Sequence, residues 1–435
     1  MDFELSPRVV ELRDRVRAFL DEHVYPVEAE ALRALDEEVT VDSGRAYPEL
    51  LVEIRERARD AGLWNLFMAE SMPVGSSASR PGPTGSGAGS SASRPGPTGY
   101  GVGLTNWEYG VLCEEMGRSP AIAPMAFNCA APDTGNIEIL AEHGTDEQRE
   151  RWLEPLLAGE IRSCFAMTEP EVAGSDPRTL RATARLEGGE WVIDGHKWFT
   201  SGAVGASVAI AMVVTDPDAH PYARASMILV PTDAAGFELV RPVSVMGHDG
   251  GPGHCELRFG GCRVPEANLL GPRQAGFVIA QDRLGPGRIH HCMRAIGTCE
   301  RAIEMMCRRA NEREAFGGRL ADKQFVQDMV AKSRIETDQA RLLTLSAAWK
   351  MDARGKKEAR REISMIKVVA ANVVMDVLDR AIQVHGALGL SDDTPLAGMW
   401  RFSRMLKVAD GPDEVHKMVI ARRELAHWKD GGERG

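Results

Sequence analysis

The spacing of apolar residues predicts helices in the first part of the chain. A repeat of three and four residues near the N-terminus marks one helix face: Val9, Leu12, Val16, Phe19 and Leu20. Ser6 and Pro7 form a cap and first-turn pair before this face, and Pro26 is expected to end the helix. The capping-box pattern of residues 145–148 opens another helix, with four apolar residues on its inner side: Trp152, Leu153, Leu156 and Leu157.

Between residues 162 and 270 the pattern changes to short β-branched or apolar runs bounded by turn residues. Two runs, 190–193 and 196–200, flank Asp194-Gly195 and predict a hairpin with a tight turn there. Further strands are expected at Val208–Val214, Met227–Val230 and Gly236–Val243. Strands without helices between them predict a compact antiparallel barrel or sandwich.

The last part of the chain carries long amphipathic segments that are poor in proline and predict an antiparallel helix bundle: Arg288–Glu312, Gln324–Met351, Glu358–His385 and Pro412–Trp428. The predicted fold is therefore multi-domain, α and β. It has an N-terminal α-helical domain (1–160), a middle antiparallel β-barrel domain (161–271) and a C-terminal four-helix bundle (272–435). Residues 71–102 interrupt the first domain with a tract in which GSSASRPGPTG occurs twice, and this tract predicts a mobile surface loop.

Composition and net charge argue against several classes of protein function. The 435 residues carry a formal net charge of −11, which argues against a protein that binds nucleic acid along its phosphate backbone. The sequence contains no run of 18 apolar residues, so no membrane span is predicted. The N-terminus lacks a secretory signal pattern, and a cytoplasmic location is therefore expected. The eight cysteines form no CxxC pair and are expected to be buried, reduced thiols, with no metal site.

Common catalytic motifs are absent from the sequence. It contains no GxGxxG after a predicted strand, no GxxxxGK[ST], no HExxH and no GxSxG. These absences argue against a Rossmann nucleotide site and against kinase, metalloprotease and serine-hydrolase functions, although convergent sites need no motif.

Two stretches at the β domain carry candidate binding groups. Residues 164–176 (CFAMTEPEVAGSD) combine Pro, Gly and hydroxyl side chains, which can present donors to a flat polar ring or can simply form a turn between domains. In residues 197–202 (KWFTSG), Trp198 and Thr200 are two apart and are expected on the same strand face. They could stack on a ring and donate to it, or the Trp could belong to the core.

Two further stretches are expected at helix starts. Arg288 in residues 284–291 (LGPGRIHH) is expected at a helix N-terminus, where the free N–H groups favour anions. The adjacent His290 and His291 face different directions on a helix, and we expect packing or supporting polar roles for both. Asp410 lies in the turn before the last helix, where it either caps that helix or serves as a well-fixed catalytic base.

Taken together, these segments resemble the acyl-CoA dehydrogenase family. The motifs that carry the resemblance follow one another in the family's order from about residue 5 to 428: MTEP…GSD, the WxT element, RxxFG at 313–317, QVHGA at 383–387 and an acid-Gly turn before the last helix. GPGRIHHCMR and LKVADGPDEVH, together with the TEPEVAGSD spacing, resemble the branch of family members ten and eleven, without the kinase-like domain of that branch.

The resemblance implies FAD as cofactor, an acyl-CoA as substrate and an obligate dimer, normally assembled as a tetramer. Asp410 would be the catalytic base. The residues that would bind FAD are Phe165, Met167, Thr168, Ser175, Trp198, Phe199, Thr200, Arg313, Lys323, Gln324, Gln383, Val384, Gly386, Ala387, Pro412 and Glu414. Those that would contact the acyl-CoA are Ser175, Gly285, Gly287, Arg288 and Gly411. The resemblance implies that Arg313, Lys323, Gln324 and Gln383–Ala387 reach the FAD of a neighbouring subunit.

The implied reaction is α,β-dehydrogenation of an acyl thioester to a 2-enoyl-CoA, with electron-transfer flavoprotein as acceptor. Two alternatives stay open: a flavin oxidase of the same fold, acting on an acyl-CoA or a nitroalkane, and a non-catalytic flavin-binding relative. The chain also departs from the family pattern, since Asp410 stands where most members have Glu, and Pro412 and Glu414 replace a Thr and a Gln. Asp392 and Asp393 are the nearest rival acids.

Overall fold

The computed structural model describes residues 4–68, 102–247 and 253–429. The predicted loop at 71–102 lies outside the described residues, except for Val102. In the first part the chain is helical, as predicted: α1 Pro7–Phe19, α2 Glu28–Glu38, α3 Glu49–Asp60, α4 Asn106–Gly117, α5 Ile122–Ala126, α6 Asp133–His143, α7 Asp146–Gln148 and α8 Glu154–Ala158. A π-turn and a 3-10 turn containing Pro26 separate α1 from α2. The capping box of Thr145 and Gln148 is confirmed.

The middle part forms one sheet of eight strands: β1 Ser163–Ala166, β2 Thr183–Glu187, β3 Glu190–Ser201, β4 Val208–Val214, β5 Ala225–Pro231, β6 Phe237–Val243, β7 His254–Pro265 and β8 Leu269–Leu270. Their hydrogen-bonded order is β6-β7-β3-β2-β4-β5-β8, with β1 beside β4. Most neighbours are antiparallel, as expected, whereas β1 and β2 pair with β4 in parallel. All seven residues of β4 are buried, which places this strand at the centre of the β core.

The prediction of a hairpin turn at Asp194-Gly195 is wrong. β3 continues through these residues with a bulge, and the turn lies one strand earlier, at Gly188-Gly189, where both residues have positive φ. Glycine adopts positive φ without a steric cost, so this pair makes the tight β2–β3 turn. Gly195 serves close packing instead, because a Cβ there would lie 2.3 Å from the Cβ of Ala182.

The last part is helical: α9 Gly276–Glu312, α10 Gln324–Arg354, α11 Arg360–His385, α12 Ala387–Leu390, α13 Leu396–Arg404 and α14 Asp413–Lys429, with a small hairpin of β9 Glu314–Ala315 and β10 Gly318–Arg319. The expected helix start at Arg288 is wrong, because α9 begins twelve residues earlier, at Gly276, and contains Pro286 in its interior. Arg288 therefore lies inside a helix, and the argument from free N–H groups at a helix N-terminus does not apply to it.

The chain divides into two compact units. The helical unit comprises Met1–Pro26, Thr105–Pro124 and Gly285–Gly435, and the β unit comprises Val27–Leu104 and Met125–Leu284. The division falls inside α9. A core of the helical unit packs residues of α9, α11 and α13, among them Met306, Leu378 and Leu396.

Two further observations concern the cysteines and the helix lengths of the described residues. All eight cysteines are free thiols, and seven of them are buried. No described helix is both long and apolar enough to cross a membrane.

Candidate active site

Three consecutive residues of β3 hold the TEP loop, which we define as residues 167–176 after β1. The backbone N–H of Trp198 donates to the carbonyl of Thr168 at 3.0 Å. Lys197 Nζ donates to Glu169 Oε1 at 2.8 Å, and His196 Nδ1 lies 2.6 Å from Glu171 Oε1. The two stretches singled out in the sequence, CFAMTEPEVAGSD and KWFTSG, are therefore neighbours within the β unit.

The central contact is a buried ion pair between Lys197 and Glu169, whose side chains are 0% and 1% exposed. The ammonium group also donates to the carbonyls of Met167 and Met212, at 2.9 and 2.7 Å. The carboxylate accepts two backbone N–H groups, from Arg181 at 2.7 Å and Ala182 at 3.0 Å. Burial lowers the pKa of Lys197, and the charge of Glu169 opposes this. The pair fixes the first turn of the TEP loop on the sheet.

A second polar network, partly buried, lies next to Phe165 in β1. The guanidinium carbon of Arg283 lies 4.2 Å from the centre of the Phe165 ring, and Arg283 Nε donates to Asn136 at 2.9 Å. Asn136 donates to Ser163, which in turn donates to Asp133 at 2.7 Å. Four of these residues are not singled out by the sequence: Asp133, Asn136, Ser163 and Arg283. Their signal was weak, because isolated polar residues in a helix and at a strand start carry no motif.

The residues around Trp198 do not follow simple strand alternation. Phe199 has φ +49° and is 41% exposed, and the β3–β7 register shifts between Lys197 and Thr200. Trp198 is half-buried and packs edge-to-face on Phe199, whereas Thr200 is fully buried. The regular strand alternation predicted for Trp198 and Thr200 is therefore interrupted at Phe199.

Thr200 carries an unpaired polar group in this part of the described chain. Its Oγ1 is buried and has no hydrogen-bond partner among the described residues, although a buried hydroxyl is normally paired. The half-buried Trp198 indole and the half-buried Thr168 hydroxyl lie on the elements beside it. Thr200 is 0% exposed, so the surface open to a flat ring is that of Trp198, Thr168 and the 41% exposed Phe199. An indole, a hydroxyl and a phenyl ring of this kind fit a flavin.

Asp410 lies in the turn before α14, within the helical unit. Its backbone is left-handed, with φ +55°, and Gly411 follows with φ +98°. Arg288 Nε donates to the Asp410 carbonyl at 3.1 Å, and His416 Nε2 lies 3.2 Å from the same oxygen. Burial lowers the pKa of His416 to about 4, so at neutral pH this histidine is uncharged and can donate from Nε2. Two side chains from two helices thus hold the backbone of this turn.

The carboxylate of Asp410 is partly exposed, at 24%, and faces His291, whose Nε2 lies 3.7 Å from Oδ2. Gly411 is required beside it, because a Cβ there would lie 3.0 Å from His416 Nε2 on a backbone that side chains rarely adopt. Of the predicted acyl-CoA contacts in the same unit, Gly285 is buried, and Gly287 and Arg288 are half-buried on α9.

The other predicted cofactor residues lie at several places. Ser175 is exposed at the end of the TEP loop. In the helical unit, Lys323 and Pro412 are half-buried. The other predicted cofactor residues there are exposed, except Val384: Arg313, Gln324, Gln383, Gly386, Ala387 and Glu414. Lys323 Nζ donates to the carbonyl of Phe316 at the tip of the β9–β10 hairpin. The side chain of Val384 packs in the helical core, which leaves its backbone as the group that can reach a cofactor.

Comparison with known proteins identifies the family. Three family models match the chain: the N-terminal domain of acyl-CoA dehydrogenase at residues 95–160, the middle domain at 164–262 and the C-terminal domain at 274–425. FadE2 of Mycobacterium tuberculosis, named as a probable acyl-CoA dehydrogenase, is 47% identical over 99% of this chain and 98% of its own. The chain belongs to the acyl-CoA dehydrogenase family.

The resemblance seen in the sequence is thus confirmed, and the chain is an oxidoreductase of this family. Acyl-CoA dehydrogenase family member 10 of Mus musculus is also 47% identical over 97% of the chain, but the chain spans only 37% of that longer protein. A solved structure of a candidate acyl-CoA dehydrogenase from Mycobacterium abscessus is 45% identical, with a TM-score of 0.87 over 98% of this chain and 100% of its own.

FAD is the cofactor of this family, as the resemblance implied. A glutaryl-CoA dehydrogenase of Mycobacterium smegmatis, described in complex with FADH2, has the same fold, with 20% identity and a TM-score of 0.77 over 97% of this chain and 95% of its own. The order of helical, β and helical parts also agrees with the family's three domains.

Proposed function

We propose that this protein is an FAD-dependent acyl-CoA dehydrogenase that converts an acyl-CoA thioester to its 2-enoyl-CoA. Asp410 removes the α-proton of the substrate onto a carboxylate oxygen. Bound FAD supplies the two-electron acceptor for the hydride that leaves the β-carbon. The observation that supports this proposal most strongly is the clamped, left-handed turn that presents the Asp410 carboxylate.

A base for this reaction must be held in place, because an α-proton of a thioester is only weakly acidic and orientation lowers the barrier. Arg288 and His416 hold the Asp410 carbonyl, which fixes the short aspartate side chain close to the backbone. Aspartate reaches less far than the glutamate of most family members. The substrate is therefore expected to bind closer to this turn, along Gly285, Gly287 and Gly411.

On the cofactor side, we propose that the TEP loop and β3 bind the flavin ring, with Phe165, Met167, Thr168, Ser175, Trp198, Phe199 and Thr200 as contacts. The buried Thr200 hydroxyl is a donor that lacks a protein partner among the described residues. The Lys197–Glu169 pair holds the loop in place without being expected to touch the ring. Ser175 is proposed to contact the CoA side as well.

We propose that a second copy of the chain completes the cofactor site, in a homodimer or homotetramer. Large apolar side chains at a seven-residue spacing form an exposed stripe on α10: Ile335 at 57%, Leu342 at 51% and Trp349 at 40% exposure. A row of exposed large apolar side chains along one helix face supports a protein interface there. The remainder of FAD is proposed to contact a second set of residues: Arg313, Lys323, Gln324, residues 383–387, Pro412 and Glu414.

Leu342→Glu tests this assembly. The variant should run as a smaller species by light scattering and should lose FAD during gel filtration, since the neighbouring copy is proposed to supply cofactor contacts. An unchanged mass with full FAD content would reject the stripe as an interface.

The reaction class is tested by anaerobic titration of the purified yellow protein with acyl-CoA thioesters of different chain length. Bleaching of the flavin absorbance is expected with at least one of them. Asp410→Asn should retain FAD and lower the bleaching rate by about 10²- to 10⁴-fold, the usual contribution of a general base. Asp393→Asn, at the nearest rival acid, should bleach like the unmodified protein.

A flavin oxidase would differ from a dehydrogenase in how the reduced flavin is reoxidised. Rapid peroxide formation after oxygen is admitted to the reduced protein would favour an oxidase. Slow reaction with oxygen and fast reaction with electron-transfer flavoprotein would support a dehydrogenase. A protein that keeps its FAD and is bleached neither by any acyl-CoA nor by a nitroalkane would be a non-catalytic relative.

A further inference from the structure

Two adjacent histidines on α9 have different surroundings. His290 is buried, and its ring packs edge-to-face on Tyr109 at 4.6 Å between centroids. Burial, with the charge of Arg294, holds the pKa of His290 well below its usual value, so this histidine stays neutral. His291 points the other way, is 20% exposed, and lies 3.7 Å from the Asp410 carboxylate. One histidine belongs to the packing and the other faces the proposed base.

Several titratable groups surround the Asp410 turn from the elements packed against it. From α9 these are Arg288 and His291, with the buried thiol of Cys292 next along the helix. From α14 it is His416, and from α11 the charge of Lys367 acts on His416 and Cys292. Arg288 and His416 are bound to the Asp410 backbone carbonyl, whereas the contact of His291 is with a carboxylate oxygen.

We propose that His291 is a positioning residue that keeps the Asp410 carboxylate ionised and aligned for proton removal, an inference that rests on the proposed function. The α C–H bond of the substrate breaks, and the proton goes to a carboxylate oxygen of Asp410. His291 takes no proton in this step. It acts through its charge on the carboxylate.

The charge of His291 is expected to matter most on the acidic side of the pH range. Where a carboxylate titrates, near pH 4, an ordinary imidazole is protonated and carries a positive charge. A positive charge within about 4–6 Å favours the ionised carboxylate. At 3.7 Å, His291 Nε2 is within this range of Asp410 Oδ2, and both side chains are partly exposed. The proposed role therefore predicts that loss of the imidazole weakens Asp410 as a base on the acidic side of the pH range.

The pH dependence of anaerobic flavin reduction tests this role. His291→Gln should raise the acid-side midpoint of the rate by about one pH unit, because the charge is lost. His291→Lys keeps a positive charge and should stay within a few tenths of a pH unit of the unmodified protein. His290→Phe, a matched control that keeps a ring against Tyr109, should leave the midpoint unchanged. An unchanged midpoint in His291→Gln overturns the proposal.

A second measurement does not depend on activity. Melting temperatures of His291→Gln, Asp410→Asn and the double variant form a double-mutant cycle at pH 6. If the two side chains interact, the effect of His291→Gln shrinks in the Asp410→Asn background. Additive shifts would show that His291 acts on the structure independently of Asp410, and would also overturn the proposal.

The two sets of results separate this inference from the proposed function. If no acyl-CoA bleaches the flavin, or if Asp410→Asn keeps its full rate, the proposed function fails. If bleaching occurs, Asp410→Asn is slow and the midpoint of His291→Gln is unchanged, the role of His291 alone fails.

Discussion

The buried Lys197–Glu169 pair allows a sharp prediction about stability. Lys197→Met fills nearly the same volume and removes the ammonium group from three acceptors at 2.7–2.9 Å. The Glu169 carboxylate, 1% exposed, then keeps only its two backbone N–H donors. An uncompensated buried charge costs about 3–5 kcal/mol. We expect the free energy of unfolding of the β unit to fall by about that amount.

Urea unfolding followed by tryptophan fluorescence measures this loss, and FAD content after gel filtration reports on the TEP loop. The control is Lys332→Met, which removes a lysine whose Nζ is also 2.8 Å from its partner carboxylate, Asp328. Those side chains are 57% and 56% exposed, and water replaces the contact, so the expected loss is below about 1 kcal/mol.

The double variant Lys197→Met, Glu169→Gln distinguishes an unpaired charge from lost packing. Removing both charges should recover a substantial part of the stability, because no buried charge is then left without a partner. A loss below about 1 kcal/mol in Lys197→Met, equal to that of the surface control, would refute the reasoning. So would a double variant less stable than Lys197→Met alone.

Two further predictions concern the helical unit. Gly297→Ala should lower the free energy of unfolding, measured by chemical denaturation, by about 3 kcal/mol or more. Its Cβ would lie 1.8 Å from the Glu114 carbonyl oxygen of α4, a backbone atom that cannot rotate away. A loss below about 1 kcal/mol would contradict this contact. Stability should fall as the pH drops from 6.5 towards 4, because the unfolded His416 binds a proton from about pH 6.5 while burial lowers its folded pKa to about 4. This difference corresponds to about 3 kcal/mol, and unfolding curves of His416→Gln should show a flatter dependence over the same pH window.

The sequence alone determined the order of elements, because that order follows from local patterns. Helical spacing, short apolar runs and capping signals are readable within a few residues, and the four long C-terminal segments agree with α9, α10, α11 and α14 to within a few residues except at the start of α9. The motifs also identified the family, which the comparisons confirmed. The roles of the individual site residues stay predictions.

Local sequence patterns gave wrong predictions at glycines, because a glycine can either form a turn or make room for a neighbouring side chain. Asp194-Gly195 carries a turn pattern, but Gly195 lies in a bulged strand against Ala182, and Gly188-Gly189 makes the turn. Gly285 and Pro286 suggested a helix start, but α9 runs through them. The sequence records that glycine is present. Whether it supplies positive φ or room for a neighbour depends on what packs there.

Only the tertiary structure decided which polar residues meet. Lys197 and Glu169 are 28 positions apart, and His291 and Asp410 are 119 apart, yet each pair is in contact. Neither pair has a spacing that a helix or strand period could reveal. Their interaction depends on burial and on distances of a few ångströms, and both are set by the packing of whole elements, which a local pattern does not contain.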